Sequence, residues 1–421
     1  MSHYHWHRGL AERKAEKAAS FNDAISYSEK RIACLEKLPV SEDLQKKIID
    51  SRVRLGLYMT QLGRLAKAKE TVEPIIDLAV KRNYRRRLAQ IYTIVGAYYN
   101  SVEEDFSEAI KYLGEARKLS EESNDTVSLL LSTYWMGLTL AWNCEFDSAL
   151  YHLEKALEIN VAANSLWGIS TLKTTIAIDV YHLQGKVGLS YQTTDEALRI
   201  AEESGDMYSK AMAYSIHGYS WYRKGFLEEA EAYSLKGVDC CERINFDSWL
   251  ALANLFLAET YFDKGEYQKS RDCYHKQFSL AERGKFWPWL MNLGKIGFAR
   301  AKVMNNERDI DLQSLYDVED GNKLKAFEGW MLRYIGEILL NIDDQHVNEA
   351  EDWVKKAIKA DEKNGTRFNL GQDYALYAEL FKRKGDQSKA KENLNKAIEI
   401  MKECGADGWV KKYEKELAAL H

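Results

Sequence analysis

Two phrases, EAEDWVKKAI at 349–358 and KAKENLNKAI at 389–398, say nearly the same thing about forty residues apart. A chain that repeats at a fixed period is built of units that cannot bury their apolar faces alone, so they must stack. The same element, a small residue followed by an apolar or small residue at i+4 and i+7, returns along the chain. Full copies are Ala68/Val72/Ile75, Ala109/Leu113/Ala116, Ala149/Leu153/Ala156, Ser190/Thr194/Ala197, Ala350/Val354/Ala357 and Ala390/Leu394/Ala397. Ala230/Ser234/Gly237 and Ser270/Tyr274/Gln277 are looser. These spacings lie on one helical face. Anchors at 24, 68, 109, 149, 190, 230, 270, 311, 350 and 390 give a period of 39 to 44 residues over about ten units.

About twelve residues before each anchor comes a second small position with a large residue three further on: Gly96/Tyr99, Gly218/Trp221, Ala258/Tyr261 and Ala378/Phe381. That is a notch beside a knob on a preceding helix. Gly63, Gly185, Gly225, Gly265 and Gly385 lie between the two helices, with Asn305-Asn306 and Asp343-Asp344 where glycine is missing. Each unit therefore reads as a helix–turn–helix hairpin. Only three prolines interrupt 421 residues rich in helix formers, and with 46% hydrophobic and 29% charged residues the chain has ample material for a packed core. The fold class is all-α, a right-handed α-solenoid of about ten hairpins.

The series resembles the tetratricopeptide repeat (TPR), whose Gly/Ala, Tyr, Ala, Phe/Leu, Ala pattern is met at the positions just quoted over nearly the whole chain. The period is longer than the usual ~34, so both helices should be longer than in the standard repeat. HEAT-type hairpins share the longer period but not the paired notches.

One unit breaks the pattern. Asp311 replaces the small anchor in NNERDIDLQSLYDVED, which predicts a stunted or irregular second helix and a change of superhelical path. The expected organisation is a superhelix over 1–304, an irregular repeat at 305–320, and further hairpins with a capping helix over 321–421. Trp409, Tyr413, Leu417 and Leu420 form the apolar stripe of that cap. At the other end, Trp6 and Leu10 mark a first helix with no polar cap.

Composition and motifs exclude more than they assign. A net charge of −5 gives no global attraction to nucleic acid. The basic run Lys81–Arg87 reads as a solvated loop and first helical turn, with a phosphate-contacting patch as its functional counterpart. Six cysteines without CxxC spacing suit a reducing, cytoplasmic setting. The longest apolar stretch, Leu250–Ala258, is too short to span a bilayer. No P-loop, dinucleotide fingerprint, nucleophile elbow, HExxH or EF-hand loop occurs, and Gly185-Lys186 lacks the rest of a P-loop. His3, His5 and His7 alternate, which on a helix spreads them around the axis, so no metal or other cofactor is expected. Trp167, Trp249, Trp289, Trp330 and Trp409 recur near the starts of first helices, where each would close a junction with the preceding hairpin.

In a TPR solenoid the first helices line the concave wall. The resemblance implies that the exposed groove positions here are Thr93, Tyr134, Asp179, His182, Tyr219, Tyr222, Glu259, Arg300, Arg333 and Glu337. Aromatics with both charge signs suit a peptide or a polar ligand; ordinary solvated helix faces would look the same residue by residue. The Lys/Asn/Arg set of carboxylate-clamping TPR domains is not met at matching positions. The stretch HYHWHRGLAERKAEKAASFNDAISYSEKRIACLEKLPVSEDLQ is similar to the lead-in of repeat arrays in bacterial AAA or STAND-type signalling ATPases, cyclases and transcription regulators. That resemblance implies a non-catalytic sensor or scaffold portion of a larger polypeptide.

Three functions are weighed. A scaffold binding a protein or peptide predicts a continuous groove. A small-ligand sensor predicts a closed pocket where Tyr219 and Tyr222 converge, its ligand biasing the superhelix between two curvatures. An enzyme would need two facing carboxylates, and Asp179 with Glu259 is the pair to check.

Overall fold

The computed structural model describes residues 21–420. His3, His5, His7, Trp6 and Leu10 lie outside the described residues. The fold is all-α, a run of antiparallel helical hairpins, and no strand occurs among the described residues. Helix starts follow side-chain capping chemistry: Ser41, Asp105, Asp206 and Asp386 each accept a backbone N–H three residues on. Where the hairpin turns, Gly225 takes φ 84°, a conformation costly for any residue with a Cβ. Asn83, Asn124, Asn164 and Asn245 take positive φ between hairpins, the role asparagine tolerates best after glycine.

The repeated small residues have a direct packing cause. Ala68, Ala109, Ala149, Ser190, Ala230, Ser270, Ala350 and Ala390 are completely buried. Three glycine notches receive the central residue of the following triad. A Cβ on Gly96 would lie 2.6 Å from Leu113 Cγ, one on Gly218 2.5 Å from Ser234 Oγ, and one on Gly336 2.9 Å from Val354 Cγ2. Adding a methyl in so tight a contact forces neighbours aside, typically at about 1–3 kcal/mol.

The irregular unit holds the helix Leu312–Asp320, nine residues long, against eighteen in the next second helix, Val347–Asn364. Asp311 is its N-cap, accepting from Ser314 N at 3.1 Å, so the residue that breaks the small-anchor pattern also sets a late helix start. Contacts divide the chain into two compact units. One holds the described residues up to Thr139 with Tyr151–Ala163 and Gly284–Pro288; the other holds Leu140–Leu150, Asn164–Arg283 and the chain from Trp289 onward.

In the first unit the basic run serves as stitching. Arg82 pairs with Glu42, Arg85 with Glu122, Arg86 with Asp125 and Arg87 with Asp50, at 2.5, 3.2, 3.3 and 2.6 Å. Of the recurring tryptophans, Trp289, Trp330 and Trp409 are buried. Trp167 departs from these: it is 46% exposed. All six cysteines are free thiols. No helix among the described residues is long and apolar enough to cross a membrane.

Candidate functional site

Within the second unit, the first helices of successive hairpins are Met207–Lys224, Asp247–Asp263, Pro288–Met304, Lys325–Ile342 and Arg367–Arg383, followed by the terminal helix Asp407–Ala418. They meet one another across the inside of the unit. Trp409 Nε1 donates to the Tyr222 carbonyl at 2.9 Å, Arg223 Nη1 donates to Asn369 Oδ1 at 3.3 Å, and the Tyr334 hydroxyl donates to Glu259. Gly225 and Gly408 make the closest approach: a Cβ on Gly225 would lie 2.4 Å from Trp409 N.

Beneath the terminal helix a cavity of about 430 Å³ remains. Its floor carries the buried Tyr222, Glu259, Arg300, Arg333 and Tyr334; its rim carries the exposed Glu379, Lys382, Lys412 and Glu416. Glu259 accepts the hydroxyls of Tyr274 and Tyr334, with Arg300 Nη1 3.7 Å from its Oε2. Burial raises its carboxyl pKa, while the Arg300 charge and the two phenols oppose the rise. Tyr274 reaches inward because residue 297 is glycine; a Cβ there would lie 2.4 Å from the Tyr274 ring. Arg300 is clamped, its guanidinium 3.4 Å from the Phe262 centroid and 4.1 Å from that of Tyr334, with Nε donating to Glu337 Oε2 at 2.7 Å.

Behind the floor, Arg333 Nη1 donates to Asp373 Oδ1 at 3.1 Å, and Thr366 donates to Asp361. Asp361 and Asp373 are fully buried. Burial pushes the Asp361 carboxyl up to about 6, and burial with the neighbouring Asp361 charge holds Asp373 well above the carboxylate range. Two carboxyls against one guanidinium in a dry interior retain a proton.

Five of the ten residues read from the sequence, Tyr222, Glu259, Arg300, Arg333 and Glu337, line this one cavity. Tyr219 sits alongside, stacked on Phe256 with centroids 4.0 Å apart and on Tyr222 at 5.7 Å. Asp179 and His182 lie on a π-helical turn, Ala177–His182, and do not line the cavity. Asp179 accepts from Trp142 Nε1 at 2.9 Å, and burial pushes its carboxyl up to about 7. His182 Nε2 lies 3.1 Å from Ser220 Oγ, and burial lowers its pKa well below the ordinary histidine value. Asp179 and Glu259 thus have separate partners. Thr93 and Tyr134 belong to the first unit; Thr93 returns its hydroxyl to the Ala89 carbonyl, and Tyr134 packs edge-on against Trp135.

Exposure is where the sequence reading needs correction. Thr93, His182, Tyr219, Tyr222, Glu259, Arg300 and Arg333 are all buried, where an open groove would leave them wet. In the second unit the reason is that inner faces meet other inner faces. Tyr334 and Asp263 went unread because their roles depend on contacts between repeats, whereas Tyr274, read only as a packing residue, bonds Glu259 inside its own hairpin. Among the described residues no three His, Cys, Asp or Glu side chains are grouped to hold a metal.

Hairpins with small-residue notches and an inner face formed by first helices define a protein of the tetratricopeptide-repeat class. The chain belongs to the MalT-like TPR region family, whose model matches residues 89–406. No curated protein sequence matches it. Among solved structures it is similar to a Rap protein complexed with Competence and Sporulation Factor, with TM-score 0.59 and 16% identity over 96% of this chain and 99% of that one. The apo form of the quorum sensor NprR from B. thuringiensis aligns with TM-score 0.51 and 16% identity over 85% and 99% of the two chains. A STAND protein with a TPR sensor from Pyrococcus horikoshii aligns with TM-score 0.42 and 15% identity over 93% and 55%.

Proposed function

We propose that the chain is a non-catalytic TPR-type scaffold that takes a short peptide into the inner cavity of its second unit, as the ligand-responsive part of a bacterial signalling protein. The observation that carries this is the half-open cavity, with a buried floor of both charge signs and a rim likewise mixed. Its volume of about 430 Å³ lies within the range of about 300–1,000 Å³ usual for ligand pockets. A helix about 10 Å across would fill it within roughly one turn, so it suits a few extended residues better than a folded partner. The Rap protein's complex with Competence and Sporulation Factor and the quorum-sensing role of NprR support a ligand-responsive role for this fold. Asp179 and Glu259, the pair weighed for catalysis, have separate partners, and only Glu259 lines the cavity.

The modest volume of about 430 Å³ also favours a second reading, a sensor for a small polar molecule. One experiment separates them: the purified chain is incubated with a pooled tetrapeptide library and, separately, with a pool of small polar metabolites, and retained compounds are identified by mass spectrometry after gel filtration. Tetrapeptides retained by the wild type and lost with Tyr222→Ala support the proposal. Retention from the metabolite pool alone supports the sensor, and retention from neither contradicts both.

A further inference from the structure

Hydrogen-bonding capacity on the cavity floor does not balance. On the acidic side Glu259 accepts one tyrosine hydroxyl on each oxygen, Glu337 Oε2 accepts Arg300 Nε, Asp263 Oδ2 accepts the Tyr222 hydroxyl at 2.8 Å, and Asp373 Oδ1 accepts from Arg333, while Asp361 Oδ2 and Asp373 Oδ2 behind the floor have no hydrogen-bond partner. Donors also go unused. A guanidinium carries five N–H groups. Among the described residues Arg300 hydrogen-bonds through Nε alone. Its Nη1 stands 3.7 Å from Glu259, beyond hydrogen-bonding distance, and is buried without an acceptor. Arg333 likewise bonds through Nη1 alone, to Asp373 and to the Asn369 carbonyl.

Arg300 cannot relieve this by turning outward. Its side chain is only 9% exposed, and the Phe262 and Tyr334 rings hold its plane. A buried donor left unmade costs about 1–3 kcal/mol, more when charged, so a ligand oxygen brought to Arg300 would be favoured. The planar guanidinium fork matches a carboxylate better than any other common peptide group.

We infer that Arg300, with Arg333 on the same floor, anchors a carboxylate of the ligand. This rests on the proposal of peptide binding and narrows it to peptides that place a free C-terminus or an acidic side chain at the bottom of the cavity. Both sources present the same group to the same donors.

The test uses the full chain and three tetrapeptide pools: free C-termini, C-terminal amides of neutral residues, and C-terminal amides that include Asp or Glu. Retained peptides are remade singly and titrated by calorimetry. The expected result is retention of free acids, at least about tenfold weaker binding when a retained neutral acid is amidated, and retention of amides only where Asp or Glu is present. The last outcome assigns the carboxylate to a side chain. Neutral amides binding within about threefold of their acids overturn the inference and leave peptide binding intact; retention from no pool overturns both. Arg300→Lys keeps the charge but not the fork, and should weaken the acid about tenfold while barely changing a neutral amide. Equal acid binding by wild type and this variant counts against the inference, and the acid–amide comparison on the wild type decides the matter if the variant fails to fold.

Discussion

Closure of the second unit rests on two backbones passing at Gly225 and Gly408, and it can be tested by adding one methyl. Gly225 and Gly385 occupy equivalent hairpin turns, with φ 84° and 78°. Placing alanine at either forces a Cβ into the left-handed region, a strain of about 1–2 kcal/mol common to both. The surroundings differ. Nothing lies within 4 Å of a Cβ at 385, whereas one at 225 would meet Trp409 N at 2.4 Å, Gly408 C at 2.7 Å and Gly408 Cα at 2.8 Å. All three are backbone atoms, which cannot rotate away, so overpacking adds about 1–3 kcal/mol. Urea unfolding followed by far-ultraviolet circular dichroism should show Gly225→Ala the more destabilising of the two by that margin. Hydrogen exchange should show residues 407–418 losing protection in this variant alone. Equal losses of stability for the two variants would refute the closure.

Other expectations concern the same contacts. Gly408→Ala should destabilise, since its Cβ would lie 2.4 Å from the Gly225 carbonyl oxygen, while Gly114→Ala, with nothing within 4 Å, should stabilise by up to about 1 kcal/mol through helix propensity; urea midpoints give the two signs. Glu259→Leu strands two phenol hydroxyls and leaves Arg300 with Glu337 alone, so a loss of about 2–6 kcal/mol is expected in the same assay, and a loss below about 1 kcal/mol would show that the buried cluster is not formed. Asp179, pushed up to about 7 by burial, contributes stability that is full below its ordinary value of about 4 and is lost as pH rises through 7. Asp179→Asn should therefore remove a decline of Tm between about pH 4 and 7. His217, held near 4 by burial, acts with the opposite sign, costing stability as pH falls from about 6.5 to 4, and His217→Gln should remove that loss. Variant and wild-type profiles that run parallel would contradict these assignments.

Much of the fold was legible because its rules are local. The small triad, the notch and the hairpin glycine lie within about forty residues of one another, and each reports on a contact inside one hairpin. Asp311 could be singled out for the same reason, and the structure gives it a specific local role as the N-cap of a nine-residue helix. The candidate site was only half legible. Periodicity identified which side chains leave the inner face of each first helix, and five of them reach one cavity. What they meet there could not be read, because the contacts that bury them span long stretches of chain: Trp409 bonds to a carbonyl 187 residues earlier, and Tyr334 to a carboxylate 75 residues earlier. Such contacts depend on the small rotation between successive repeats, which no short motif encodes. Trp167 failed for the converse reason, its period matching that of buried tryptophans while its own surroundings leave it at the surface.

The central claim is that ligand enters the cavity beneath the Asp407–Ala418 helix. Hydrogen exchange read by mass spectrometry, on the full chain with and without the most strongly retained tetrapeptide, tests it most directly. The account predicts slowed exchange in Asp247–Asp263, Pro288–Met304, Lys325–Ile342, Arg367–Arg383 and Asp407–Ala418. Slowing confined to residues outside these helices, with 407–418 unchanged, would contradict it.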